Sequence, residues 1–176
     1  LAAAERPDRV SRLVLFDPVI LDRWAVAAFQ LPLLGRLASR IPMVKSARRR
    51  RAVFDSREQA MAAYTGRGAF KGWPEMMLAD YLVHGLVETD AGFTLACTPE
   101  WEASNYGAQS HNPWRALRQY DQPVRIIRGE IGTTCRMPAR PGGLPHVVVE
   151  TLAGATHFLP MLRPDVARDA LFEAAV

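Results

Sequence analysis

With 176 residues, 49% of them hydrophobic and 23% charged, the chain has the length of one ordinary domain or a large part of one, and no apolar stretch reaches the roughly 20 residues that a bilayer requires. Cys97 and Cys135 show neither CxxC nor Cys/His ligand spacing, so no disulfide framework and no zinc site is indicated, and a reducing cytoplasm is the expected compartment. The net charge of +4 gathers in KSARRRRAVF at 45–54, which raises nucleic acid as a partner; the run lacks aromatic stacking residues and a base-reading motif, and four successive arginines point all round a helix, so neither a nucleic-acid nor a membrane partner is expected.

LAAAERPD, residues 1–8, predicts the last turns of a helix stopped near Pro7, because proline cannot continue the hydrogen-bond ladder. VSRLVLFDPV then packs Leu13 to Phe16 into a short continuous apolar run, as in a strand buried on both faces of a parallel sheet, with Asp17 and Pro18 ending it. From about 20 to 120 the texture becomes amphipathic and helical, punctuated by Pro, Gly and Trp. Ser56, followed by Glu58 and Gln59, predicts a helix N-cap. PEMMLADYLVHGL predicts a helix carrying Met76, Met77, Asp80, Tyr81 and His84, with Gly85 as its terminator. ETDAGFTLAC predicts a hairpin turning at 90–92. This stretch is expected to be an inserted helical module with little strand.

Sheet texture returns after 120. QPVRIIRGE predicts a strand of roughly five residues closed by Gly129, and HVVVETL predicts another. DVARDALFEAAV has apolar positions at 166, 167, 170, 171 and 174, the spacing of a helix with one buried face. Strand, helices, strand, strand, helix implies the α/β class with a largely parallel sheet. Ligand sites in such sheets lie outside the carboxyl ends of the strands. Asp17, Glu130 and His157 all fall at or just past such ends.

The phrases AAAERPDRVSRLVLFDPV, QPVRIIRGE and LAGATHFLPMLRPD resemble the half of the α/β-hydrolase fold that follows the nucleophile, and the resemblance covers essentially the whole chain. It implies that residues 1–19 form the helix after the nucleophile and the sixth strand, 20–120 a helical cap, and 121–176 the seventh and eighth strands and the last helix. YLVHGLVETDAGFTLAC and PEWEASNY resemble cap phrases of that superfamily. Its chain order is nucleophile, acid, histidine. No Gly-x-Ser-x-Gly occurs in the sequence, so the resemblance implies that the nucleophile elbow and the N-terminal strands lie upstream of Leu1, and that these 176 residues alone hydrolyse nothing.

The resemblance makes His157 the general base, with small residues 153–156 expected as the loop before it. The usual acid follows the seventh strand in a phrase like Gly-x-x-Asp, where this chain has Gly132. Two carboxylates remain, Asp17 and Glu130. Some α/β hydrolases, including many haloalkane dehalogenases, take their acid from the end of the sixth strand, the place of Asp17; it is the expected acid and Glu130 the alternative. Trp73, Met77, His84 and Trp101 are expected to wall the pocket of a small-molecule substrate, an apolar ester, and Trp114 to lie in the cap with them. His111 and His146 are assigned to turn and strand-end roles. The expected activity is ester hydrolysis by a Ser-His-acid triad without metal or organic cofactor; an aspartate-nucleophile haloalkane or epoxide hydrolase and a non-catalytic binding protein of the same fold are the alternatives.

Overall fold

The structure, a computed structural model, describes residues 1–31, 41–108 and 110–175. Its elements run α1 (Ala2–Glu5), β1 (Leu13–Phe16), α2 (Arg23–Phe29), α3 (Pro42–Arg48), β2 (Val53–Phe54), α4 (Arg57–Tyr64), α5 (Glu75–Gly85), β3 (Leu86–Thr89), β4 (Gly92–Leu95) and α6 (Pro99–Gly107). They continue with α7 (Pro113–Gln119), β5 (Val124–Ile131), β6 (Val147–Thr156), α8 (Leu159–Leu162) and α9 (Pro164–Ala175). The chain forms two compact units, one of Leu1–Val26 with Asn112–Val176 and the other of Ala27–His111.

In the first unit the apolar runs become a parallel sheet in the order β1-β5-β6. Side chains alternate across a strand. Leu13, Leu15, Val124, Ile126, Val147 and Val149 therefore share a face with Trp114, Leu117, Tyr120, Met137 and Leu144. Val14, Phe16, Ile127, Leu152 and Ala155 form the other face with Leu159 and Ala170. Ile126, Met137, Leu144 and Leu159 are fully buried, each contributing about 1.5–3 kcal/mol of transfer free energy. The α/β class with a parallel sheet is as the sequence predicts.

Several local expectations are corrected. The residues of β1 are only half-buried, because β1 is an outer strand among the described residues. β5 runs eight residues, Val124–Ile131, and crosses Gly129 through an irregularity in its pairing with β6. Residues 153–156 are not a loop: β6 extends to Thr156, where Ile131 pairs with it. Trp114 belongs to the first unit, buried, with its indole N–H donating to Leu21 O at 2.8 Å and the Arg23 guanidinium over its ring. On α9, Ala167 and Ala170 are buried but Leu171 is exposed.

The second unit packs around Phe54, Leu78, Leu82, Leu86 and Leu95, with Tyr64, Phe70, Trp73 and Tyr81 in ring contact beside them. Ser56 caps α4 by accepting from Gln59 N–H, and α5 ends at Gly85, as expected. The hairpin is β3–β4, and β2 pairs with it to make a three-stranded antiparallel sheet, so this unit carries more strand than its texture predicts. Gly92 makes the turn possible: its φ is 105°, and a Cβ there would lie 2.6 Å from Phe54 O. Within the arginine run, Arg50 pairs with Glu102 at 3.0 Å, and Arg51 donates to Val53 O and Gln59 with its guanidinium over the Phe54 ring. Among the described residues no helix is long and apolar enough to cross a membrane.

Candidate active site

β1 stops where Asp17 takes a left-handed backbone conformation, φ 41°, which Asp tolerates better than most residues, and Pro18 follows. Asp17 N–H still donates to Ile127 O at 2.8 Å, so the turn is pinned to β5 as it leaves the sheet. The segment beyond is laced to the turn after β5: Ile20 N–H donates to Thr134 O at 3.2 Å, and Arg136 N–H returns to Ile20 O at 2.8 Å. The Arg128 guanidinium, reaching out of β5, donates to the carbonyls of Cys135 at 3.0 Å and Met137 at 2.6 Å. Two stretches more than a hundred residues apart thus share one rigid corner.

Asp17 is fully buried. A buried carboxylate is stable only when its oxygens are supplied with donors. Here Oδ1 accepts from the Thr133 hydroxyl, and Oδ2 accepts from Thr134 N–H at 3.1 Å. Oδ2 is also met by His157 Nδ1 at 2.8 Å and, at 3.4 Å, by the Thr134 hydroxyl.

His157 reaches that position because β6 runs close against β5 at its end. A Cβ on Gly129 would stand 2.6 Å from the Thr156 carbonyl, so only glycine permits this approach. The His157 side chain is 36% exposed while its partner is at 0%. A carboxylate can only accept, so Nδ1 carries the proton and the lone pair of the neutral ring lies on Nε2. That arrangement can take a proton from a hydroxyl or a water and steady the imidazolium that results.

The structure therefore brings Asp17 and His157 together and places Glu130 elsewhere. Glu130 is exposed and accepts from Gly154 N–H at 2.9 Å. His111 Nδ1 contacts Ala108 O and His146 Nε2 contacts Leu117 O. Burial pushes the Cys135 thiol up, and the nearby Asp17 charge adds to this, so it is no nucleophile at neutral pH. In the second unit His84 lines a cavity of about 590 Å³ with Arg50, Asp80, Tyr81, Cys97 and Glu102. Trp73, Met77 and Trp101 are not gathered there: Trp73 packs on Phe70 and Tyr81, Met77 is half-buried on α5, and Trp101 is 65% exposed. Among the described residues no three His, Cys, Asp or Glu side chains come together as a metal site would require. Thr133, Thr134, Arg128 and Gly129 were not singled out as site residues in the sequence; the one available signal was a hydroxyl pair directly after Gly132 in a strand-end turn.

Solved structures match the chain over nearly its whole length. An E-2-(acetamidomethylene)succinate hydrolase superposes with a TM-score of 0.68 at 19% identity, covering 98% of this chain and 60% of that one. A peroxisomal α/β-hydrolase of Saccharomyces cerevisiae gives 0.68 at 16% identity, covering 98% and 47%. This chain carries the α/β-hydrolase fold. The thioesterase domain of the curacin biosynthetic pathway, with a TM-score of 0.62 at 14% identity over 97% of this chain and 60% of that one, has the same architecture. The chain spans about half to three fifths of the length of these structures. No family model and no curated protein sequence matches it.

Proposed function

We propose that His157 is the general base and Asp17 the acid of a Ser-His-acid triad that hydrolyses carboxylic esters, with the serine contributed by sequence upstream of Leu1. The observation that carries this reading is the 2.8 Å contact between His157 Nδ1 and the fully buried Asp17 carboxylate. Such a pair commits Nδ1 and leaves Nε2 to accept the serine proton, while the carboxylate stabilises the imidazolium formed as the nucleophile attacks. Backbone amides would stabilise the oxyanion, so the chemistry calls for neither metal nor organic cofactor. A small apolar ester is the substrate class proposed; of the four residues expected to line its pocket, His84 borders a cavity within the 27–111 unit, whereas Trp73, Met77 and Trp101 do not gather around it. A reducing cytoplasm suits the two unpaired thiols.

A second reading has its own support. An acid at the end of the strand that corresponds to β1 is the arrangement of many haloalkane dehalogenases, in which an aspartate nucleophile displaces the halide to form an alkyl ester and a water deprotonated by the histidine then hydrolyses that ester, releasing the alcohol and restoring the carboxylate.

The test uses the longer protein that includes the upstream sequence, assayed on p-nitrophenyl esters and, for the second reading, by halide release from haloalkanes. Asp17→Asn is expected to lower kcat by about 10⁴-fold with KM little changed, as loss of the correct tautomer does in such triads. Full activity in Asp17→Asn together with a crippled Glu130→Gln would overturn the assignment.

A further inference from the structure

We infer that Thr133 and Thr134 are positioning residues for the Asp17–His157 pair, acting together to hold the carboxylate and to fix the imidazole tautomer. The inference rests on the general-base reading of His157 and goes beyond it, because the acid alone leaves the ring orientation under-determined.

Proton accounting carries it. The Thr133 hydroxyl oxygen accepts from Cys135 N–H at 3.1 Å, so its own proton is directed to Asp17 Oδ1. The Thr134 hydroxyl has one proton and three groups in range: Asp17 main-chain O at 3.0 Å, His157 Nδ1 at 3.1 Å and Asp17 Oδ2 at 3.4 Å. Given to the nearest of these, the main-chain oxygen, that proton leaves the lone pairs of Thr134 Oγ1 turned toward Nδ1. His157 Nδ1 then faces two acceptors at once, Asp17 Oδ2 at 2.8 Å and Thr134 Oγ1 at 3.1 Å.

A bare Nδ1 in that place would oppose a carboxylate oxygen lone pair to lone pair. Turning the Thr134 proton to rescue it would strip Asp17 O of that donor. The Nδ1–H tautomer satisfies all the groups, and the forked contact resists rotation of the ring as well as loss of the proton. Threonine suits the task because its branched Cβ restricts χ1. The turn itself is fixed by Arg128 on the carbonyls of Cys135 and Met137. Among the described residues, Cys135 and Arg128 are titratable groups that also pack at this corner.

The experiment is side-chain NMR on the 176-residue chain labelled with ring-¹⁵N histidine, with His157 assigned by loss of its signals in His157→Gln. Measured on the alkaline side of the imidazole titration, the unsubstituted chain is expected to show a protonated, slowly exchanging Nδ1 and a bare Nε2. Thr134→Val deletes the second acceptor and keeps both the volume and the backbone N–H; it is expected to speed Nδ1–H exchange about tenfold, the equivalent of one ordinary hydrogen bond, and to admit the Nε2–H tautomer. Thr133→Val is expected to act in the same direction by freeing the carboxylate, and Thr133→Ser and Thr134→Ser to restore the original spectrum. Should either valine variant lose its dispersed amide spectrum, the alanine and serine variants at that position replace it: a difference between them supports the inference and identity overturns it. Unchanged tautomer and exchange in folded valine variants would overturn the positioning role while leaving His157 as the base. An Nε2–H tautomer in the unsubstituted chain would overturn both.

Discussion

Replacing Gly129 by alanine tests whether the close approach of β5 and β6 builds the site. The added Cβ would stand 2.6 Å from Thr156 C and O and 2.7 Å from Ala155 O, all backbone atoms that no rotamer change can move. The nearest contacts fall about 0.8 Å short of the 3.4 Å at which ordinary packing begins, so the strands must part locally, an overpacking worth about 1–3 kcal/mol. Part of this is offset by the lower unfolded-state entropy of alanine, up to about 1 kcal/mol. A net loss of about 1–2 kcal/mol lowers Tm by about 2–8 °C in a chain of this size.

The site is more sensitive than the fold. His157 follows Thr156 directly, and a displacement of about 0.8 Å added to its 2.8 Å bond to Asp17 passes the distance at which a hydrogen bond survives, about 3.5 Å. The measurement is thermal unfolding by far-ultraviolet circular dichroism, paired with the His157 ring ¹⁵N spectrum. Gly142→Ala is the control in the same unit, since a Cβ there meets nothing within 4 Å. If Gly129→Ala melted within about 1 °C of that control and kept the protonated Nδ1, the close approach would not be what positions His157.

Glu130→Gln is expected to change stability by less than about 0.5 kcal/mol and to leave the His157 ring signals in place, because Glu130 is exposed and accepts from Gly154 N–H, away from the Asp17–His157 pair; chemical denaturation and the same spectrum check this. Ser56→Ala should cost about 1 kcal/mol in urea unfolding through loss of the α4 cap on Gln59 N–H. The Arg163 hydrogen bond holds the Asp165 carboxyl down, from 3.8 to about 2, at the start of α9. A depressed acid stabilises the fold above its ordinary pKa and loses that contribution as pH falls toward 2, so the melting temperature of Asp165→Asn should depend less on pH across that window than the unsubstituted protein's. Iodoacetamide at pH 8 should label exposed Cys97 and spare buried Cys135 until the chain is denatured, as read by mass spectrometry.

Composition and periodicity determined the architecture because they report directly on burial. Leu13–Phe16 and Ile126–Ile127 of β5 are apolar without strict alternation, which is what strands feeding two hydrophobic faces require, whereas in β6 Val147 and Val149 are buried and Val148 is exposed; the three strands packed as a parallel sheet. Ser56 and Gly85 marked helix ends because capping is local chemistry, decided within three or four residues. The same logic put Asp17, Glu130 and His157 at strand ends. It could not say which carboxylate meets the histidine. That choice depends on the left-handed turn at Asp17, the irregular pairing beyond Gly129 and the full length of β6, none of which is a local property. Asp17 and His157 stand 140 positions apart, and the threonines that hold them come from a third segment whose own sequence shows only a polar turn. Propensity specifies elements residue by residue, whereas a buried carboxylate needs donors converging from several elements, and only the folded chain brings them to one place.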